Sequence, residues 1–138
     1  MTEAPPPHLA AVSLIVSDYD AAIAFFRMAL GWAVLEDIDQ GRKRWVTVGL
    51  PGGGTRLVLA QADGPAQQAA IGLQGAGRVW LFLRTDDFAR DHARLTRAGA
   101  VFEEAPRHEP YGTVAVWRDP WGNRWDLIGP PAGPQQKD

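Results

Sequence analysis

Leu9 to Ser17 runs LAAVSLIVS, an apolar and β-branched stretch that reads as a strand handing over to a helix. Asp18 or Asp20 caps that helix, Ala21 to Leu30, in which Ala22, Ile23, Phe26 and Leu30 share a face, and Gly31 stops it. Trp32 to Ile38 and Arg44 to Leu50 form a hairpin around Gln40-Gly41. Pro51-Gly-Gly-Gly54 then turns the chain into a strand over Thr55 to Ala60. The segment from Gln61 to Gly77 is small and polar, a connector with one short helical turn at Pro65 to Ala70.

The second half repeats this order. Arg78 to Arg84 reads as a strand, and Thr85-Asp86-Asp87 caps a helix that ends at Ala98-Gly99. Ala100 to Glu104 is a strand, Pro106 to Pro110 a loop, Thr113 to Arg118 a strand, Asp119 to Asn123 a turn and Arg124 to Ile128 the last strand. The offset is about 68 residues, which sets Gly31 on Gly99, Gly54 on Gly122, Arg56 on Arg124 and Asp18 near Asp87. The fold class that follows is α+β: two βαβββ modules forming a cupped mixed sheet with helices on its outer face and a concave face for a ligand. The expected organisation is a single domain over 9–129, with modules at about 9–61 and 78–129 joined by a 62–77 connector. Residues 1–8 and 130–138 are expected to be a flexible and a frayed tail.

Fourteen Lys+Arg against sixteen Asp+Glu leave a net charge of −2, which argues against a nucleic-acid partner. The absence of cysteine removes thiolate catalysis, disulfides and Cys-type metal sites. No apolar run approaches the roughly 20 residues of a membrane span, and the proline-rich start lacks the order of a signal peptide. The expected location is the cytoplasm.

Three segments carry a family likeness: VSLIVSDYDAAIAFFRMALGW, the LFLRTDDF–helix–AGA unit, and the ending GTVAVWRDPWGNRWDLI. Their DP-x-GN-R-x-D-L-I close is the most specific part. From about Leu9 to Ile128 the chain resembles the vicinal oxygen chelate superfamily of glyoxalases, bleomycin-resistance proteins and extradiol dioxygenases. That resemblance implies the paired βαβββ fold, and a homodimer as in many relatives. It also implies that metal ligands of the metal-dependent members fall at Ala11, Val58, Trp80 and Asp126. Of these only Asp126 offers a ligand-quality donor, and one carboxylate does not hold a catalytic ion, which needs about three protein ligands. No cofactor is expected, and a divalent metal stays open only through an unconventional site using His8, His92 or His108. Strand alternation turns His8 away from Ala11. His92, four after Phe88 and three before Leu95, lies on an apolar helical stripe. His108 has only Glu109 beside it.

Alternation also sorts the sheet faces. Val12, Leu14 and Val16, with Leu57, Leu59, Val79, Leu81, Leu83, Trp125 and Leu127, suit packing under helices. The opposite faces carry Arg56, Trp80, Phe82, Arg84, Arg124 and Asp126, an aromatic floor with a few polar groups. On the functional reading, Trp80 and Phe82 wall a planar or apolar ligand while Arg56, Arg84 or Arg124 meets an anionic end. On the structural one, the arginines pair with Asp126 or loop carboxylates, or point into water. Asp126 is a general base, a hydrogen-bonding partner for ligand, or a structural acceptor. Tyr111 lies in a loop that places it as a lid or as a cover for a strand end. Trp45 and Trp117 read as matched packing positions, Trp32 as a strand-edge or subunit contact and Trp121 as an interface marker.

Three functions remain. The first is a metal-free binder of a small aromatic or anionic compound, resembling the bleomycin-resistance branch. The second is a lyase, isomerase or dioxygenase with an atypical metal site or with Asp126 as base. The third is an interaction domain whose cavity is filled by its own side chains.

Overall fold

The computed structural model describes residues 3–131, so most of the expected C-terminal tail, residues 132–138, lies outside the described residues, as do residues 1–2. Strand β1 (Ala11–Val16) leads into α1 (Tyr19–Leu30), whose N-cap is Asp18, its carboxylate accepting the Ala21 N–H at 2.8 Å. Gly31 ends the helix in the left-handed conformation at φ 68°. Strands β2 (Ala33–Asp39), β3 (Arg44–Gly49) and β4 (Arg56–Gln61) complete the first module. After α2 (Gly64–Ala70) the order recurs as β5 (Val79–Arg84), α3 (Phe88–Arg97, capped by Asp87), β6 (Val101–Phe102), β7 (Arg107–Glu109), β8 (Gly112–Arg118) and β9 (Arg124–Gly129).

The strands hydrogen-bond as two sheets, one per module. The first runs β1-β4-β3-β2 and the second β5-β9-β8-β6, with β7 also on β8. The β1/β4 and β5/β9 pairs are parallel and the others antiparallel. The registers repeat as well. Ser13 lies opposite Val58 in the first module, and Phe82 lies opposite Asp126 in the second.

The helices cover one face of each sheet, and the core is common to both modules. Leu14, Val16, Leu57 and Leu59 are buried under α1. On the same helix Phe25 meets Trp117 at 6.4 Å and Phe26 meets Trp125 at 6.0 Å, both from the second sheet. Trp117 and Trp125 stack on each other at 4.9 Å. This aromatic cluster joins the modules through side chains, not through a shared ladder. The free edge of β1 is occupied by the connector: Gln74 accepts the Ile15 N–H at 2.8 Å and donates to the Ser13 carbonyl at 3.0 Å. The amide thereby imitates one step of a neighbouring strand and closes an edge that would otherwise be open to pairing.

Several sequence expectations are corrected. The Pro106–Pro110 segment holds a strand: its prolines lack N–H groups, but Arg107, His108 and Glu109 between them pair with Val114, Thr113 and Gly112. Trp32, just before β2, is half-buried and stacks on Phe26 at 5.6 Å. Trp121 likewise packs inward, 6.0 Å from Phe26 and edge-on to Phe25. Trp45 and Trp117 are not matched positions. Thr47 pairs with Val58 and Val116 with Asp126, so Trp117 corresponds to Val48 on the core face, whereas Trp45 is on the opposite face and 37% exposed. No helix among the described residues is long and apolar enough to cross a membrane.

Candidate functional site

Each sheet has one face turned away from the helices. On the first, Ser13, Trp45, Thr47, Arg56, Val58 and Ala60 stand opposite the buried Leu14, Val46, Val48, Leu57 and Leu59. Two hollows indent it. One of about 700 Å³ is bounded by Ser13, Trp45, Val58, Gln61 and Gln67, and one of about 370 Å³ by His8, Ala11, Glu36, Trp45 and Arg56. His8 therefore shares a hollow with Ala11, contrary to the alternation expected for it. Strand β1 begins only at Ala11, so no pleat fixes the direction of His8.

On the second sheet Phe82, Arg84, Arg124, Asp126 and Ile128 share the open face. Phe82, directly across from Asp126, is 65% exposed. Trp80 departs from this row. The register slips between Val79 and Leu81, so Trp80 occupies a β-bulge, half-buried and packed against the core. Tyr111 is 57% exposed in the turn between β7 and β8.

The arginines are largely committed. Arg56 donates to Glu36 at 3.2 Å, and the same carboxylate accepts from Trp45 Nε1 at 3.0 Å and Thr47 Oγ1 at 3.2 Å. The indole hydrogen bond, followed by Thr47 and Arg56, holds the Glu36 carboxyl below its ordinary range. Arg124 grips Glu103 with two bonds of 2.9 and 3.0 Å, and Arg118 joins at 2.7 Å. Glu36 and Glu103 are separated by nearly the same interval as Arg56 and Arg124, so one ion pair recurs in both modules. Arg107 bridges Glu104 at 2.9 Å and Glu109 at 2.6 Å, and Glu104 also accepts the Val116 N–H at 2.9 Å. Arg84 is exposed and has no ion pair among the described residues.

Asp126 is the exception. It is 8% exposed, and its Oδ1 is buried without a hydrogen-bond donor. Burial raises its pKa; Glu104 adds to the rise, while Arg107 and Arg124 oppose it. The expected alternative of a structural acceptor for an arginine is not realised, because Arg124 has turned to Glu103.

The donor set does not fit a catalytic metal. Ala11 and Val58 present alkyl groups, the Trp80 indole offers no ligand lone pair, and Asp126 alone is a carboxylate. His92 is stacked on Phe102 at 3.9 Å and His108 contacts Thr113 on the β7/β8 hairpin. Among the described residues no three His, Asp or Glu side chains converge.

Sequence reasoning missed Glu36, Thr47 and Glu103 as the groups that occupy Arg56 and Arg124, and Glu104 and Glu109 as those that occupy Arg107. The matching interval between Glu36 and Glu103 was the signal that identifies the repeated pair.

Comparison with known proteins agrees with this architecture. An uncharacterised protein of Shewanella frigidimarina is 48% identical over 85% of this chain and 89% of its own length. Among solved structures, UcmS2 is similar at 29% identity and a TM-score of 0.76, covering 90% of this chain and 98% of that one. TnmS3, described as an antibiotic binding protein from Streptomyces sp. CB03234, is similar at 31% identity and a TM-score of 0.72, over 93% and 99% of the two chains. The sequence model of the Glyoxalase/Bleomycin resistance protein/Dioxygenase superfamily matches residues 7–127, and this chain belongs to that superfamily.

Proposed function

We propose that this protein binds a small, planar aromatic compound without a metal ion, on the open sheet faces and in a cavity completed by a second copy of the chain. The observation that carries the reading is the outward Phe82, 65% exposed beside a buried carboxylate whose Oδ1 has no donor, on a sheet face where Arg124 is already paired with Glu103. An exposed phenyl ring costs solubility unless something covers it, and a stacked aromatic ligand suits its geometry. The antibiotic-binding description of TnmS3 supports the same class of role. Trp45 stands between two hollows on the first sheet and supplies a second aromatic surface there. Within one chain the two open faces belong to separate sheets that flank a common helix layer. A homodimer that sets the first sheet of one copy against the second sheet of the other brings Trp45 and Phe82 to one cavity.

The test is a thermal-shift and tryptophan-fluorescence screen against planar aromatic compounds, with sedimentation to give the mass. A dimer, together with saturable stabilisation of about 3 kcal/mol at a hundredfold excess over Kd, is expected. No shift from any compound overturns the reading in favour of an interaction domain.

The buried, unpartnered state of Asp126 favours one second reading, in which it acts as a general base on the bound compound. On that reading Asp126→Asn abolishes turnover while leaving binding intact; equal turnover in the variant ends it.

A further inference from the structure

The repeat supplies an internal comparison that separates architecture from recognition. The Arg56–Glu36 and Arg124–Glu103 pairs recur at equivalent places, so they belong to what both modules need in order to fold. Asp126 does not recur: its counterpart is Val58, and the counterpart of its cross-strand neighbour Phe82 is Ser13. An aromatic ring and a carboxylate side by side are thus peculiar to the second sheet and are not part of what the two modules share.

The surrounding charges indicate what the carboxylate is for. Arg107, Arg118 and Arg124 are met by Glu103, Glu104 and Glu109, which leaves Asp126 as the unmatched anion of the group. A buried carboxylate oxygen without a donor, as Oδ1 of Asp126 is, is costly, and a ligand that brings a donor removes that cost. Adjacent strands lie about 4.8 Å apart, so a ring stacked on Phe82 carries its substituent over Asp126.

We propose that Asp126 recognises a protonated amine on the aromatic ligand, so that the compounds held here are aromatic amines and not aromatic acids. The proposal rests on the aromatic-binding reading above and names its ligand class. Arg84 is the one nearby cation that favours the opposite preference, since it stands on the same face next to Ile128.

Three probes of one shape decide the matter: 2-naphthylmethylamine, 2-naphthalenemethanol and 2-naphthoate, titrated calorimetrically at pH 7.5. The amine is expected to bind at least tenfold more tightly than the naphthoate, with the alcohol between them. In Asp126→Asn the amine's advantage falls to less than threefold while the alcohol still binds. Phe82→Ala, at an exposed position that leaves folding intact, weakens all three by a similar factor and so reports the ring platform separately. Equal affinities, a preference for naphthoate, or a preference that survives Asp126→Asn overturns the proposal and leaves aromatic binding standing. Failure of all three to bind overturns both.

Discussion

Asp119 and Asp126 are seven residues apart and both are buried, yet their surroundings are opposite. Asp119 accepts the N–H groups of Trp121, Gly122 and Asn123 with one oxygen, and the Trp125 indole and Asn123 amide with the other. Removing it orphans the Trp121 and Asn123 N–H groups and the indole of a core tryptophan, while the Gly122 N–H keeps the Asp119 carbonyl. Asp119→Ala should therefore cost about 3 kcal/mol or more in chemical denaturation. Asp126→Asn should do the reverse. Its folded-state carboxyl titrates above the ordinary 3.8, so below that pH both folded and unfolded forms are protonated and wild type and variant differ least. As pH rises through the window the unfolded chain ionises first, and the folded state loses stability that the asparagine variant keeps. The variant should melt higher at pH 7, by about 1 kcal/mol, and its advantage should vanish toward pH 3.5. Glu103 and Glu104 act with the opposite sign: hydrogen bonds from Arg124 and Arg107 lower their pKa values, so their contribution is present above the ordinary glutamate range and is lost as pH falls.

At the scale of elements, the signals with a local mechanism were legible. Asp18 and Asp87 cap their helices, Gly31 ends the first, and the apolar rows on β1, β4 and β9 face the core as alternation required. What the sequence could not mark was register. The bulge that moves Trp80 off the Phe82 row has no glycine or proline at it, and counting by twos carries no information about an inserted residue. The short β7 was hidden because its flanking prolines are loop residues by composition, although the pairing involves only the three residues between them. The hairpin that carries it depends on Gly112, at φ 153°, where a Cβ would collide with the Gly129 carbonyl oxygen. Gly112→Ala should destabilise by about 2 kcal/mol or more and alter the β7/β8 hairpin, read as faster amide exchange at Val114.

For the whole molecule, the repeat made the βαβββ order visible, while the closing of the β1 edge depended on a contact between distant residues. Gln74 reaches β1 across 59 residues, and nothing in the connector's small, polar composition distinguishes that glutamine from its neighbours. The candidate site was legible to the same degree: the open faces were identified by alternation, but the glutamates that occupy Arg56 and Arg124 become visible only when the two modules are compared. Gln74→Ala should cost about 1 kcal/mol and should accelerate exchange of the Ile15 amide more than that of any residue on β3. Protection of Ile15 unchanged from wild type would mean that another group closes the edge.

The same connector has a consequence for how the chain is divided. Ala76 and Gly77 are both exposed and both at positive φ, and between them no strand pairing crosses. A break there leaves Gln74 with the sheet it seals, and leaves the Gly77 carbonyl with Arg124, which donates to it at 2.9 Å. Each half then keeps its own ladder but exposes half of the Phe25, Phe26, Trp117 and Trp125 cluster. Two separately expressed fragments, 1–76 and 77–138, should find each other through that aromatic seam, so the duplicated chain contains a ready-made split pair whose reassembly the fluorescence of Trp117 and Trp125 would report.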